Sequence, residues 1–255
     1  MSSKSNDRVV GVILAGGKGK RLRPLTYYFQ KCMIPVGSLQ KPLLEYILML
    51  LKKHSILNLK LLVGYKKEQI VNYFNEGHRF GVNIDYIVDD PAIGGSGGAL
   101  LNALKNGAFD DSDSLLVYYG DILSNIDLSA MLKQHVESGS MATLAVTQSY
   151  KVPVGVAKVE GRAVKEWVEK PNIDLYAGVG IVAIKSEALM LLKELSSAKK
   201  SVDLMGDFIP FLIDRGKRAE IFLTDDFWYD VGSIEKYEKI NNGLIDKIFD
   251  FARAR

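Results

Sequence analysis

Apolar residues gather in short continuous runs at Val9–Ala15, Leu59–Val63 and Leu115–Tyr119, the pattern of strands buried on both faces. Between and after them the apolar spacing lengthens to a helical period over Lys41–His54, Lys66–Asn75, Gly98–Lys105 and Leu128–Glu137. Such alternation makes the helices right-handed crossovers between parallel strands, so the first half reads as a doubly wound sheet. After about residue 140 the rhythm changes: Met141–Thr147, Val154–Val159, Val164–Val168 and Val179–Ile184 follow in quick succession as strands, a β-rich insertion against the sheet. Helices return at Ser186–Leu195, Leu204–Asp214 and Ile234–Ile248. No linker separates independent domains, so residues 9–243 form one α/β domain with a mostly parallel mixed sheet, in halves 9–140 and 141–243. A flexible N-terminus, 1–8, and a helical tail, 244–255, flank it.

Composition narrows the chemistry. A chain of 255 residues, 47% hydrophobic, can bury a sizeable core, and a net charge of +3 without basic runs predicts neither nucleic-acid nor membrane partners. Cys32 is the only cysteine, which excludes an intrachain disulfide, a cysteine zinc site and an iron–sulfur cluster, and fits a cytoplasmic location. The start, MSSKSNDR, has no apolar core of a signal peptide, and the apolar stretch Pro42–Leu51 is interrupted by Glu45.

The first strand ends in Leu14-Ala15-Gly16-Gly17-Lys18-Gly19-Lys20-Arg21-Leu22-Arg23-Pro24-Leu25-Thr26, at the carboxyl edge where α/β sheets bind ligands. Gly16, Gly17 and Gly19 let backbone N–H groups approach phosphate oxygens, and Arg21 adds a forked cation. No Gly-Lys-Ser/Thr ends the run and its third fingerprint glycine is missing, so it is neither a P-loop nor a dinucleotide-binding turn.

The run resembles the G-G-x-G-x-R-L-x-P-L-T signature of the sugar-phosphate nucleotidylyltransferase family. Lys31 in Lys31-Cys32-Met33-Ile34-Pro35-Val36 fits the family's K-x-x-x-P-V, and Lys41-Pro42-Leu43-Leu44-Glu45-Tyr46 its K-P-x-x-E-Y. The resemblance, spanning about Val9 to Gly243, implies a Rossmann-like nucleotide-diphospho-sugar transferase fold in a short form without a C-terminal β-helix. Leu14, Ala15, the three loop glycines, Lys20, Arg21 and Lys31 are then expected on the nucleotide. Gly95, Ser96 and Gly98, in Gly94-Gly95-Ser96-Gly97-Gly98-Ala99-Leu100, resemble the family's nucleoside-contacting G-T-A-G-A-L and open a helix whose start would face an anionic group.

Asp89-Asp90-Pro91 stands where members using uridine or thymidine nucleotides often carry glutamine. An acceptor-only carboxylate suits guanine, with its N1–H and N2–H₂, so the expectation leans towards GTP, with Asp90 reading the base, and towards mannose or heptose 1-phosphate. A UTP- or dTTP-dependent glucose-1-phosphate enzyme is the alternative. Asp121, after Gly120, and Asp230, in a stretch resembling W-x-D-x-G-T, are the expected Mg²⁺ ligands. Glu169 and Lys170, resembling V-x-E-K-P, are expected on the sugar phosphate with Gly155, Tyr176 and Gly178; Tyr176 replaces the family's usual asparagine, which leaves the sugar open.

The expected reaction is in-line attack of a sugar-1-phosphate oxygen on the α-phosphorus of an NTP, with Arg21, Lys31 and Asp121 as its catalytic residues and no covalent intermediate. Association with further copies of the chain is left open. A silent nucleotide-sugar-binding subunit is a second reading. A nucleotide-sugar-consuming glycosyltransferase predicts an Asp-x-Asp that Gly120-Asp121-Ile122-Leu123 does not supply.

Overall fold

The computed structural model describes residues 8–252. Residues 1–7 of the expected flexible N-terminus and 253–255 of the expected tail lie outside the described residues, as do the side chains of Ser149, Tyr150 and Ala252. In chain order the elements are β1 (Val9–Ala15), the two-residue strands β2 (Pro35–Val36) and β3 (Lys41–Pro42), α1 (Leu43–Lys53), β4 (Asn58–Val63), α2 (Lys67–Phe74), β5 (Asn83–Val88) and α3 (Gly95–Lys105). There follow β6 (Ser114–Tyr119), β7 (Ile122–Ser124), α4 (Leu128–Ser138), β8 (Ala142–Lys151), β9 (Val156–Glu160), β10 (Ala163–Val168) and β11 (Asn172–Lys185). The chain then runs through α5 (Leu189–Ala198), α6 (Ile209–Asp214), β12 (Ala219–Leu223), β13 (Trp228–Asp230), α7 (Ile234–Glu238) and α8 (Asn242–Ile248).

A 7-stranded sheet in the order β12-β8-β11-β6-β1-β4-β5 organises the molecule. Its pairs are parallel except where β11 meets β6 and β8. This is the mostly parallel mixed sheet of a doubly wound α/β fold. Because successive side chains of a strand point to opposite faces, β1 feeds two cores at once. Ile13 and Ala15 join α1, α2 and α4 on one face, whereas Val10 and Val12 join α3, α5 and α6 on the other.

The β-rich second half divides. Strands β8, β11 and β12 extend the main sheet, while β9 and β10 pair only with each other as an antiparallel hairpin. Strand β11 carries register breaks between Asp174 and Ala177 and between Gly178 and Val182. The expected Ile234–Ile248 helix is broken into α7 and α8, and the Asn241 side chain caps α8 by accepting from Leu244 N–H at 3.0 Å. The C-terminal helical segment is packed rather than free: Ile245 and Phe249 are buried, Phe249 meets Tyr46 edge-on at 5.1 Å, and Asn242 accepts from Gly37 N–H at 3.0 Å.

Candidate active site

The carboxyl ends of β1, β4, β5 and β6 converge on one cleft of about 390 Å³. Gly16 leaves room for the Asp89 carboxylate: a Cβ there would lie 1.7 Å from Asp89 Oδ2, so the side chain would have to move. Gly64 meets the same oxygen, at 2.8 Å from its own ideal Cβ, and Tyr65 N–H donates to Gly16 O at 3.0 Å. Gly19 takes a left-handed φ of 57°, and Thr26 Oγ1 donates to its carbonyl at 2.9 Å. Buried Gln30 ties the loop to the next turn, donating to Ala15 O at 2.6 Å and accepting from Cys32 N–H at 2.5 Å.

That turn presents Lys31, whose ammonium pairs with Asp121 Oδ2. Asp121 reaches it because Gly120 lets β6 pass close to β1: a Cβ at Gly120 would lie 2.6 Å from Cys32 Sγ and 2.8 Å from Leu14 O. Burial pushes the Cys32 thiol up to about 12, which keeps it protonated and inert as a nucleophile.

Of the residues expected on the nucleotide, Leu14, Ala15, Gly16, Gly17 and Lys31 line the cleft, with Gly95, Ser96 and Asp121 on its other walls. Gly19, Lys20 and Arg21 do not. Lys20 and Arg21 lie exposed on the turn that follows the loop, and Lys18 is the loop cation that lines the cleft. The whole stretch is electropositive, since no acidic residue occurs between Asp7 and Glu45.

Two expectations need correction. Asp90 does not line the cleft; its Oδ1 accepts from Ala92 N–H at 2.9 Å and caps a turn. Asp89 faces the cleft instead, and desolvation raises its carboxyl from 3.8 to about 6. The start of α3 is also only partly open to an anion. Gly97 and Gly98 N–H both donate to Val202 O, at 2.8 and 3.3 Å. Gly95, at φ 84°, would clash with the same carbonyl through a Cβ at 2.2 Å, and Gly98 itself packs on Ile93 outside the lining. Ser96 is engaged throughout: it donates to Asp203 at 2.9 Å and accepts from Leu204 N–H at 2.8 Å and from Tyr119 at 3.2 Å. The second glycine cluster therefore docks α3 on the 200–204 segment and supplies only Gly95, Ser96 and Ala99 to the cleft.

Asp230 comes to Asp121 through the backbone. Strand β13 pairs with β7 so that Asp230 lies opposite Ile122, and Val231 N–H donates to Asp121 O at 2.9 Å. Lys236 Nζ holds Asp230 Oδ2 at 2.5 Å, as Lys31 holds Asp121, so each carboxylate has one oxygen on a lysine. Among the described residues no group of three or more His, Cys, Asp or Glu side chains is arranged to hold a metal.

A family model described as nucleotidyl transferase matches residues 10–247. The chain belongs to the nucleotidyl transferase family. It is 32% identical over 252 residues to a UTP–glucose-1-phosphate uridylyltransferase of Synechocystis and 29% identical over 242 residues to a protein assigned as a mannose-1-phosphate guanyltransferase in Sulfolobus acidocaldarius. These matches cover 92% and 93% of the chain, which spans 63% of the length of each relative. A solved Bacillus anthracis structure, assigned as a glucose-1-phosphate thymidylyltransferase and holding sucrose, superposes with a TM-score of 0.73 at 26% identity, covering 97% of this chain and 96% of that one.

In this member of the family the expected sugar-side residues lie apart from the cleft lining. Gly155 packs under Trp167 and Glu169; a Cβ there would lie 2.2 Å from Trp167 Cζ2 and 2.8 Å from Glu169 Oε2. Lys170, at φ 49°, follows directly, and its charge helps hold Glu235 of α7 below the usual carboxylate range, behind the hydrogen bond and charge of Lys239. Lys170 thus belongs electrostatically with the helix that carries Lys236. Tyr176 is exposed within the first register break of β11, and Gly178 is open beside the second. No helix among the described residues is long and apolar enough to cross a membrane.

Lys18, Leu62, Tyr119 and Lys236 were not anticipated. Lys18 had its signal in the loop itself. Leu62 and Tyr119 looked like ordinary strand positions, and Lys236 like a solvated helix residue.

Proposed function

We propose that the chain joins an NTP to a sugar 1-phosphate, giving a nucleoside diphosphate sugar and pyrophosphate. The observation that carries this reading is the meeting of the glycine loop with the Lys31–Asp121 pair in one cleft, with Asp230 outside its lining on the strand whose next residue bonds the Asp121 backbone. Family membership and the three relatives support it. The triphosphate would lie along Gly16, Gly17 and Lys18, where N–H groups and cations offset its charge, with Arg21 reaching in from the exposed turn. Lys31 and Lys236 would turn from their aspartates to phosphate oxygens as substrate arrives. Lys170 would orient the acceptor phosphate, and Glu169 would accept from sugar hydroxyls. Both phosphates are anionic before reaction, so the protein's work is positioning and charge compensation, without a side-chain nucleophile.

The remaining oxygens of Asp121 and Asp230 fit Mg²⁺, an oxygen-seeking ion that keeps several water or phosphate ligands. Bound there, it would supply charge neutralisation at the phosphates. The lean towards GTP rests now on Asp89, whose carboxylate suits guanine; the uridylyltransferase relative favours UTP with glucose 1-phosphate. Pyrophosphate release with Mg²⁺, an NTP and a sugar 1-phosphate tests the reading. We expect turnover in the wild type and a loss of at least about a hundredfold in Lys31→Ala; equal rates in the two would refute the placement of the triphosphate.

A further inference from the structure

Asp89 is a carboxyl without company. Among the described residues its side chain accepts no hydrogen bond and meets no cation at ion-pair distance, although it is half-buried and lines the cleft. It packs against bare backbone, in the space left by the missing side chains of Gly16 and Gly64. Next to it the cleft is apolar: Leu62 lies on β4, whose following residue Val63 pairs with Val88, the residue before Asp89, and Leu14 and Ala99 complete walls suited to a flat ring.

The charged and titratable groups of the surrounding elements are directed elsewhere. Asp90, its neighbour, caps the turn at Ala92. On the Gly64 turn, Tyr65 donates to Thr26 O at 3.0 Å and Lys66 lies over the Tyr65 ring, with Lys67 beginning α2. From the glycine loop Lys18 enters the cleft, while Lys20 and Arg21 are exposed. Across the cleft Tyr119, pushed up to about 12 by burial, donates to Ser96, and Asp121 is held by Lys31.

We propose that Asp89 reads the nucleobase in two protonation states, accepting from guanine when ionised and pairing with uracil or thymine when neutral, so that the choice of NTP changes with pH. This rests on the nucleotidyl-transfer reading and goes further than it. An ionised carboxyl offers only acceptors, which match the adjacent N1–H and N2–H₂ of guanine. A neutral carboxyl offers one O–H and one carbonyl, which match the O4 and N3–H of a uracil or thymine edge. With each base the wrong state leaves a buried donor or acceptor unpaired, which is the kind of mismatch that discriminates strongly. Desolvation lifts this carboxyl to about 6, so both states are populated near neutrality.

The test is the ratio of kcat/KM for GTP to that for UTP, measured with one sugar 1-phosphate from about pH 5.5 to about pH 7.5, since the triphosphate's own titration cancels in the ratio. The ratio should rise by about tenfold per pH unit, following the ratio of ionised to neutral carboxyl. Asp89→Asn, a fixed donor and acceptor of the same shape, should favour UTP at every pH and flatten the profile; Asp90→Asn should keep the wild-type slope. A total change below about threefold in the wild type, or an unchanged slope in Asp89→Asn, overturns the proposal. Equilibrium dialysis of GDP and UDP over the same range separates this from the reaction itself. A pH-dependent binding ratio without pyrophosphate release upholds the base reading and sinks the transfer reading, whereas release with a flat ratio does the reverse.

Discussion

The two regions proposed to face substrates, a nucleotide cleft and a sugar side, are built by different means. The nucleotide cleft sits at the ends of sheet strands and is shaped by backbone close approach, with Gly16, Gly64 and Gly120 each filled by a neighbour's atoms. Its polar groups are cross-tied through Gln30, the Lys31–Asp121 pair and the Asp121–Val231 backbone contact. The sugar-side region stands on an isolated two-stranded hairpin and on a strand with broken register, and Trp167 and Tyr176 are 62% and 61% exposed. In the proposed reaction a rigid frame would fix the part common to all NTPs, and a loosely tied one would carry the part that must differ between sugars.

The largest expected effect comes from the carboxylates where the halves meet. Asp121→Asn and Asp230→Asn should each lower turnover by about 10² to 10³-fold, with melting temperature changed little by the isosteric replacement. Normal Mg²⁺-dependent rates in both would break the comparison at its joint. Next is a pair of glycines within one loop. Gly16→Ala places a methyl on the Asp89 carboxylate and should lower both melting temperature and nucleotide affinity, the latter by about 10 to 100-fold, whereas Gly17→Ala meets no protein atom within 4 Å and should keep the melting temperature while losing affinity through the triphosphate beside it. Equal falls in melting temperature would mean that flexibility, not close approach within the protein, selects these glycines.

On the other side, Gly155→Ala should displace Trp167 and Glu169, raising KM for the sugar phosphate by about tenfold without altering that for the NTP. A matching rise in the NTP constant would show that the two regions are mechanically one.

The smallest effect concerns pH and stability. The folded-state pKa of Asp89 is raised, from 3.8 to about 6, so the native state holds its proton more tightly than the unfolded chain. Stability from this group is present below about pH 4 and is lost as pH rises towards 6. Asp89→Asn should therefore be more stable than the wild type above that window, by about 1 to 2 kcal/mol once solvent screening of the half-exposed carboxylate is allowed for, and their melting temperatures should converge in acid. A gap that widens in acid would reverse the sign.

The apolar runs made the sheet core legible, because strands buried on both faces cannot hide their composition. Asn83–Val88 escaped as a strand since NIDYIV mixes exposed and buried positions at a sheet edge, and Trp228–Asp230 because three residues carry no period. The glycine loop, Lys31, Asp121 and Asp230 were readable as motifs. Which of two adjacent carboxylates faces the cleft was not, since the choice between Asp89 and Asp90 depends on where β5 ends against Gly16 and Gly64. Nor was the engagement of the α3 start, because its partner, Val202, lies more than a hundred residues away in sequence. The break between α7 and α8 did leave a trace, the Asn241-Asn242-Gly243 run that favours a cap over continuous helix.

The most direct test of the central claim is the mass of the product formed when the wild-type chain and Asp121→Asn are each given Mg²⁺, single NTPs and a panel of sugar 1-phosphates. The account predicts a species equal to one nucleoside monophosphate joined to one sugar phosphate, with pyrophosphate in equal amount, from the wild type and not from the variant. Nucleotide binding with no such species from any combination would contradict it.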